Sequence, residues 1–113
     1  MMFKKPEKRK KRPTRELDPH FVWWIHGFEC IICKKWPVQA HHVHSRGAGG
    51  SDRTCLPMCQ EHHTGEQGIH VIGNIHFQAK HNIILESEVL KFNQRYENKE
   101  KGPYQYLLIP FKA

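Results

Sequence analysis

The residues able to do chemistry in this chain are crowded between Cys30 and His70. Cys30-Ile-Ile-Cys33 is one pair of soft ligands with two residues between them, and Cys59-Gln-Glu-His62 is a second. That spacing lets two neighbouring side chains grip a single ion at about 2.0–2.3 Å, the usual framework of a four-coordinate structural zinc. The 25 residues between the pairs are enough for a hairpin with a generous loop. Cys55 competes with Cys59, but it precedes Leu56-Pro57 in an apolar run and has no partner two residues on. The four cysteines therefore read as a zinc site rather than as disulfides.

Four further histidines, His41, His42, His63 and His70, remain available. In a strand, His41 and His42 point to opposite faces, so one suits a cation and the other a water beside it. His63 follows His62 on a short helix and turns about 100° away from it, toward the hairpin. A strand histidine and a helix histidine converging on one divalent ion suit phosphodiester cleavage: a neutral imidazole takes a proton from water, and the cation neutralises developing charge. Ser45 and Arg46 lie on the glycine-rich loop Ser45–Asp52, where they could contact phosphate, and Arg53 is a weaker candidate. His20, His26, His44, His76 and His81 carry no spacing argument.

Elements of both kinds must position these groups, which makes the fold class α+β. Asp18-Pro19 starts a helix and Gly27 closes it, with Trp23 and Trp24 facing different ways, one into the core and one under later segments. Val38 to Val43 reads as a strand entering the histidine pair, and Arg53 to Pro57 as its return. A short helix begins at Cys59 and is limited by Gly65 and Gly68. Ile69 to Ile72 is a brief apolar run, followed by a helix over 74–81 with Ile75 and Phe77 inward and Asn82 as a left-handed cap. Val89, Leu90, Phe92 and Tyr96 mark a helix over 86–97. Tyr104 to Phe111 is apolar enough to dock on the body or on a partner.

The formal charge of +7 is concentrated at one end. Residues 1–15 hold eight Lys or Arg against one acid, Glu7, and the other residues balance at ten of each sign. Such a run reads as a solvated, disordered arm attracted to phosphates, which points to nucleic acid as partner, the other reading being a solubility tail. The domain reading is a basic arm over 1–15, a metal-binding domain over 16–100 and a tail over 101–113. With 38% hydrophobic residues, a chain this short gains from a metal cross-link. Neither a signal peptide nor a membrane span is legible, so the expectation is a soluble, cytoplasmic protein with no membrane partner.

The quoted segments, His41-His42-Val43, Gly49-Gly50-Ser51-Asp52 and Met58-Cys59-Gln60-Glu61-His62-His63, resemble the HNH (ββα-metal, His-Me finger) endonucleases. The likeness is to small phage HNH proteins of the Ref-type recombination branch, and runs from about Trp23 to Gly73. It implies a zinc-stabilised ββα-metal core with flanking helices and cleavage of DNA, in recombination or DNA processing. It also implies a general base at His42, catalytic-cation ligands at His41 and His63, and structural zinc on Cys30, Cys33, Cys59 and His62. The catalytic ion would be Mg2+, Mn2+ or another divalent cation. Two positions depart from the family pattern. Thr54 stands where the family carries its middle Asn, so bracing of the loop falls to Thr54 or Asp52, or is weaker. Gln67 stands where the last ligand is usual, leaving His70 either as that ligand or as a surface histidine near phosphate. The alternative reading is a zinc-stabilised DNA-binding or assembly module with a degenerate nuclease site.

Overall fold

Helix α1, Pro19–Ile25, opens where the sequence places its cap: the Phe21 N–H donates to Asp18 Oδ1 at 3.1 Å in the computed structural model, which describes residues 15–112. Pro19 occupies the first turn, where a missing N–H costs nothing. The helix ends differently. His26 closes it with right-handed backbone, φ −65°, and Gly27 forms no left-handed cap. Gly27 instead permits a close crossing, since a Cβ there would lie 2.4 Å from Gln105 Oε1. The C-terminal tail passes over this point, with the Tyr104 N–H donating to the Gly27 carbonyl at 2.9 Å.

Strands β1, Gln39–His42, and β2, Cys55–Met58, pair antiparallel with His41 opposite Leu56 and His42 opposite Cys55. Both are shorter than their sequence pattern. Asp52–Thr54 forms a 3-10 turn before β2, and Arg53 is drawn out of the strand by its own hydrogen bonds. Its guanidinium donates to Asp18 Oδ2 at 2.7 Å, to Asn93 Oδ1 at 3.2 Å and to Glu97 Oε1 at 3.1 Å. Arg53 thus ties the hairpin to two helices and is not a free phosphate contact. The hairpin loop holds another 3-10 turn, Arg46–Ala48, closed by Gly49 at φ +85°, where a glycine is the least strained residue.

Helix α2, Gln60–His63, is a single turn with Cys59 at its N-cap. Helix α3, Ile69–His81, is broken at Gly73 (φ +83°, ψ 162°), so the apolar run and the expected helix are two successive helical segments. Asn82 caps it in the left-handed region, as the sequence indicates. Helix α4, Leu85–Glu97, completes the body.

The core gathers Phe21, Trp24, Ile25, Leu56, Met58, Ile69, Phe77, Val89 and Phe92 from every layer. Each large side chain buried there contributes roughly 1.5–3 kcal/mol. Two expected core residues are not in it: Ile75 is 81% exposed and Leu90 is 71% exposed. Each stands two positions from a buried phenylalanine, Phe77 or Phe92, and two steps of a helix turn a side chain about 200° away. The tryptophans divide as expected. Trp24 is buried, while Trp23 is partly covered by the tail, its indole donating to the Ile109 carbonyl at 2.7 Å. Tyr104 stacks on Trp36 with centroids 4.9 Å apart, so the tail docks on the body. None of the described helices is long and apolar enough to cross a membrane. Most of the basic arm, residues 1–14, lies outside the described residues; Arg15 belongs to the body, where it pairs with Asp52.

Candidate metal centres

Cys30, Cys33, Cys59 and His62 converge, one donor atom from each lying within 4.8 Å of all the others. Cys33 Sγ and Cys59 Sγ are 3.6 Å apart, Cys59 Sγ and His62 Nδ1 3.2 Å, and Cys30 Sγ and His62 Nδ1 3.7 Å. A tetrahedron with bonds of about 2.3 Å has edges of about 3.8 Å, so these gaps suit one zinc-sized ion. Local backbone makes the fit. The knuckle after Cys30 is closed by Lys34 N–H to Cys30 O at 3.0 Å and Cys30 N–H to Lys35 O at 2.9 Å, with Lys34 left-handed at φ +66°. The second pair sits on α2, where ligands three positions apart share a helical face. Burial pushes the Cys59 thiol up to about 11, so ion binding at neutral pH must displace its proton. Cys55 is outside the cluster, fully buried in the apolar core, its thiol raised to about 12 by burial and by Asp52.

A second cluster joins His41, His63 and His70, again with all donor atoms within 4.8 Å of one another. His70, left open by the sequence, is brought in. Gly65 and Gly68 let the chain fold back after α2: a Cβ on Gly65 would lie 2.4 Å from the Glu61 carbonyl, and one on Gly68 2.8 Å from that of His63. The reversal starts α3 beside α2 and sets His70 Nε2 2.9 Å from His63 Nε2. Two imidazoles on one ion, at bonds of about 2.0–2.1 Å, have nitrogens about 2.9–3.4 Å apart, from a right angle to a tetrahedral one. His63 Nδ1 donates to Gln39 Oε1 at 2.6 Å, which fixes its tautomer with the Nε2 lone pair toward the cluster.

His41 tests whether the cluster fits an ion. It is 6% exposed, and its Nε2 is buried with no hydrogen-bond partner among the described residues. A buried orphan nitrogen costs about 1–3 kcal/mol, and an ion coordinated there would satisfy it. Burial, with His63, His70 and His42 as neighbours, drives its pKa down to about 4. His63 is lowered too, by burial and by His70. Neutral imidazoles are the ligand form, so the cluster can hold a divalent ion with three protein ligands and other positions open to water or substrate.

His42 lies beside this cluster and lines the same cleft, about 630 Å³ in volume. Its Nε2 is 2.9 Å from Asp52 Oδ1. A carboxylate can only accept, so Nε2 carries the donated proton, and in the neutral tautomer the lone pair is on Nδ1. Asp52 is itself held by the Asp18 N–H at 2.8 Å and by the Arg15 guanidinium. Its burial favours the protonated acid, but the hydrogen bonds from His42, Asp18 and Arg15 outweigh that and lower its pKa. Of the two bracing candidates, Asp52 holds the histidine. Thr54 holds the loop, through its hydroxyl donated to Ser51 O at 2.8 Å. Ser45 and Arg46 stand exposed on the rim of the cleft.

Gln39, Asn74 and Arg15 escaped the sequence reading. Gln39 had a usable signal, since it lies two residues before His41 on the same face of the strand. Asn74 lines the cleft just past the break at Gly73. Arg15 was hidden in the basic run. No protein-family model, curated protein or solved structure matches this chain.

Proposed function

We propose that this chain is a metal-dependent endonuclease that hydrolyses DNA phosphodiesters in the manner of the HNH enzymes it resembles. One observation carries the reading. His41, which carries an orphaned buried nitrogen, shares a cluster with His63 and His70, and a histidine oriented by a carboxylate stands in the same cleft. A structural zinc needs no fifth polar residue beside it. A hydrolytic site needs a base at hand, and the presence of His42 in the same cleft supports the reading.

In this reading the Cys30, Cys33, Cys59 and His62 cluster holds structural zinc, and His41, His63 and His70 hold the catalytic cation. The cation, when bound, neutralises charge on the phosphate and on the leaving oxygen. His42 Nδ1 takes the proton of a water that attacks phosphorus, while Asp52 keeps the Nε2–H in place and stabilises the imidazolium formed. The bond from phosphorus to the 3′ oxygen breaks, and solvent protonates that oxygen, leaving 5′-phosphate and 3′-hydroxyl ends. Ser45 and Arg46 meet the phosphate from the rim. A donor set of three imidazoles and no carboxylate favours ions of the zinc, cobalt and nickel type over magnesium.

Cleavage of duplex, single-stranded, branched and nicked DNA, each with a series of divalent ions, is the direct test. Cutting that needs an added ion and is lost in His63→Ala supports the reading. A wild type that binds DNA but cuts none of these forms with any ion makes the chain a zinc-stabilised binding module.

A further inference from the structure

A second cavity, about 570 Å³, opens between α1, the end of α4 and the tail, and no residue assigned above to a metal centre or the hydrolytic cleft lines it. Its wall carries His20, Trp23 and Tyr96, with His20 centred 5.3 Å from Trp23 and 5.7 Å from Tyr96. Three polar atoms of these rings are already used. Trp23 donates to the Ile109 carbonyl, and His20 Nδ1 meets the Tyr96 hydroxyl. The cavity is also lined by Gln105, whose buried Nε2 has no hydrogen-bond partner among the described residues, so it offers a ligand π surface and one amide donor.

The mouth is charged. It carries Glu97, Lys99, Glu100 and Lys101. The acids are committed elsewhere, Glu97 to Arg53 at 3.1 Å and Glu100 to Arg95 at 3.4 Å. Lys99 and Lys101 have no acidic partner among the described residues. Lys99 also adopts a left-handed backbone, φ +57°, at the end of α4, a conformation glycine would take with less strain. An aromatic wall under two uncommitted ammonium groups matches one chemistry: a flat, apolar-faced ring joined to an anion.

We infer that this cavity binds an unpaired nucleotide of single-stranded nucleic acid, the base against Trp23 and Tyr96 and its phosphates at Lys99 and Lys101. Stacking on aromatic side chains with lysines along the backbone is how proteins hold single strands without reading sequence. The inference extends the nuclease reading by naming unpaired DNA as part of its substrate, but the binding does not require cleavage.

Titration of the full-length, zinc-loaded His63→Ala protein with short oligothymidylate, followed by tryptophan fluorescence and by anisotropy of a labelled strand, tests it. The His63→Ala background prevents cutting, so a failed nuclease reading leaves the binding result intact. The expected result is saturable quenching by the single strand, weaker quenching by a blunt duplex, and affinity reduced on the order of tenfold by Trp23→Ala. Since Trp23→Ala also removes a tail contact, Lys99→Gly provides a second arm: it suits the left-handed backbone and removes one ammonium. It should lower the salt dependence of single-strand binding by about 0.7 in the log–log slope. Binding seen by anisotropy but without quenching, and unchanged in both variants, would overturn the inference. So would quenching by an apolar peptide with none by the oligonucleotide, which would make the cavity a protein-docking site.

Discussion

His42 and Asp52 form a buried-edge pair, Nε2 to Oδ1 2.9 Å, across the loop that separates the two strands. When neutral, the histidine is thereby committed to one tautomer, with the lone pair on Nδ1. His42→Ala is expected to fold, keep its zinc and bind DNA, while cleavage falls about 10²–10⁴-fold, the usual contribution of a general base. Asp52→Ala should reduce cleavage less and also cost roughly 1–3 kcal/mol of stability, because it strands the Arg15 guanidinium and the Asp18 N–H. Asp52→Asn, which can still accept from His42, should be milder on both. Single-turnover cleavage and urea unfolding measure the two effects, and cutting at the wild-type rate by His42→Ala would remove it as the base.

Zinc content and folding should be lost together in Cys33→Ser, because binding free energy at a four-ligand site is folding free energy. Cys55→Ser should keep one zinc per chain while losing about 1–3 kcal/mol, since it buries a hydroxyl in an apolar site. Metal analysis beside thermal melting distinguishes them. A Cys33→Ser protein with full zinc and normal melting would refute the assignment.

The two centres should fill in order. Helix α2 is only four residues long, with no side-chain cap, and one turn does not hold itself in water. Its ends are fixed by Cys59 and His62, so His63 is aimed only while the thiolate site is loaded. Cys33→Ser should therefore also lose Co2+ binding at the histidine cluster, whereas His63→Ala should keep its zinc. Titration with Co2+ and its visible absorption would report both; undiminished Co2+ binding at the histidines of Cys33→Ser would break the dependence.

Acid should destabilise the histidine cluster over a defined window. His41 takes up its proton near 6.5 when unfolded and near 4 when folded. Above that window both states are neutral and His41 contributes no pH dependence. Between the two values the unfolded chain binds more protons, so stability falls as pH drops, by on the order of 3 kcal/mol in full. His63, also lowered, adds in the same direction. Unfolding from pH 7 to pH 4 of protein carrying zinc at the thiolate site alone, compared with His41→Phe, isolates the effect. Equal pH dependence in the two proteins would rule out His41 as its source.

Deleting residues 1–14 should weaken DNA binding and flatten its salt dependence, because seven of the chain's basic side chains go with them. Cleavage at saturating DNA should persist. Removing Arg15 as well should do more, since its guanidinium holds Asp52 and through it His42. Equal cleavage by the two truncations would deny Arg15 that role.

The four-ligand cluster was legible from sequence because each pair is a local object: two residues between ligands bring them together on a knuckle or on one turn of helix, whatever the rest does. The helix start at Asp18-Pro19 and the cap at Asn82 were legible for the same reason, since caps are short-range chemistry. The inward faces of α3 and α4 were only partly so. Phe77, Val89 and Phe92 are buried and Ile75 and Leu90 exposed, because apolar character alone does not say which side of a helix meets a neighbour. His70 joined the histidine cluster only through the reversal at Gly65 and Gly68, a backbone path that spacing along a continuous helix would have excluded. The bracing of His42 by Asp52, and of Asp52 by Arg15 at a separation of 37 residues, also belongs to the tertiary structure. Contacts between distant segments depend on how the hairpin and α1 pack, and no local spacing encodes that.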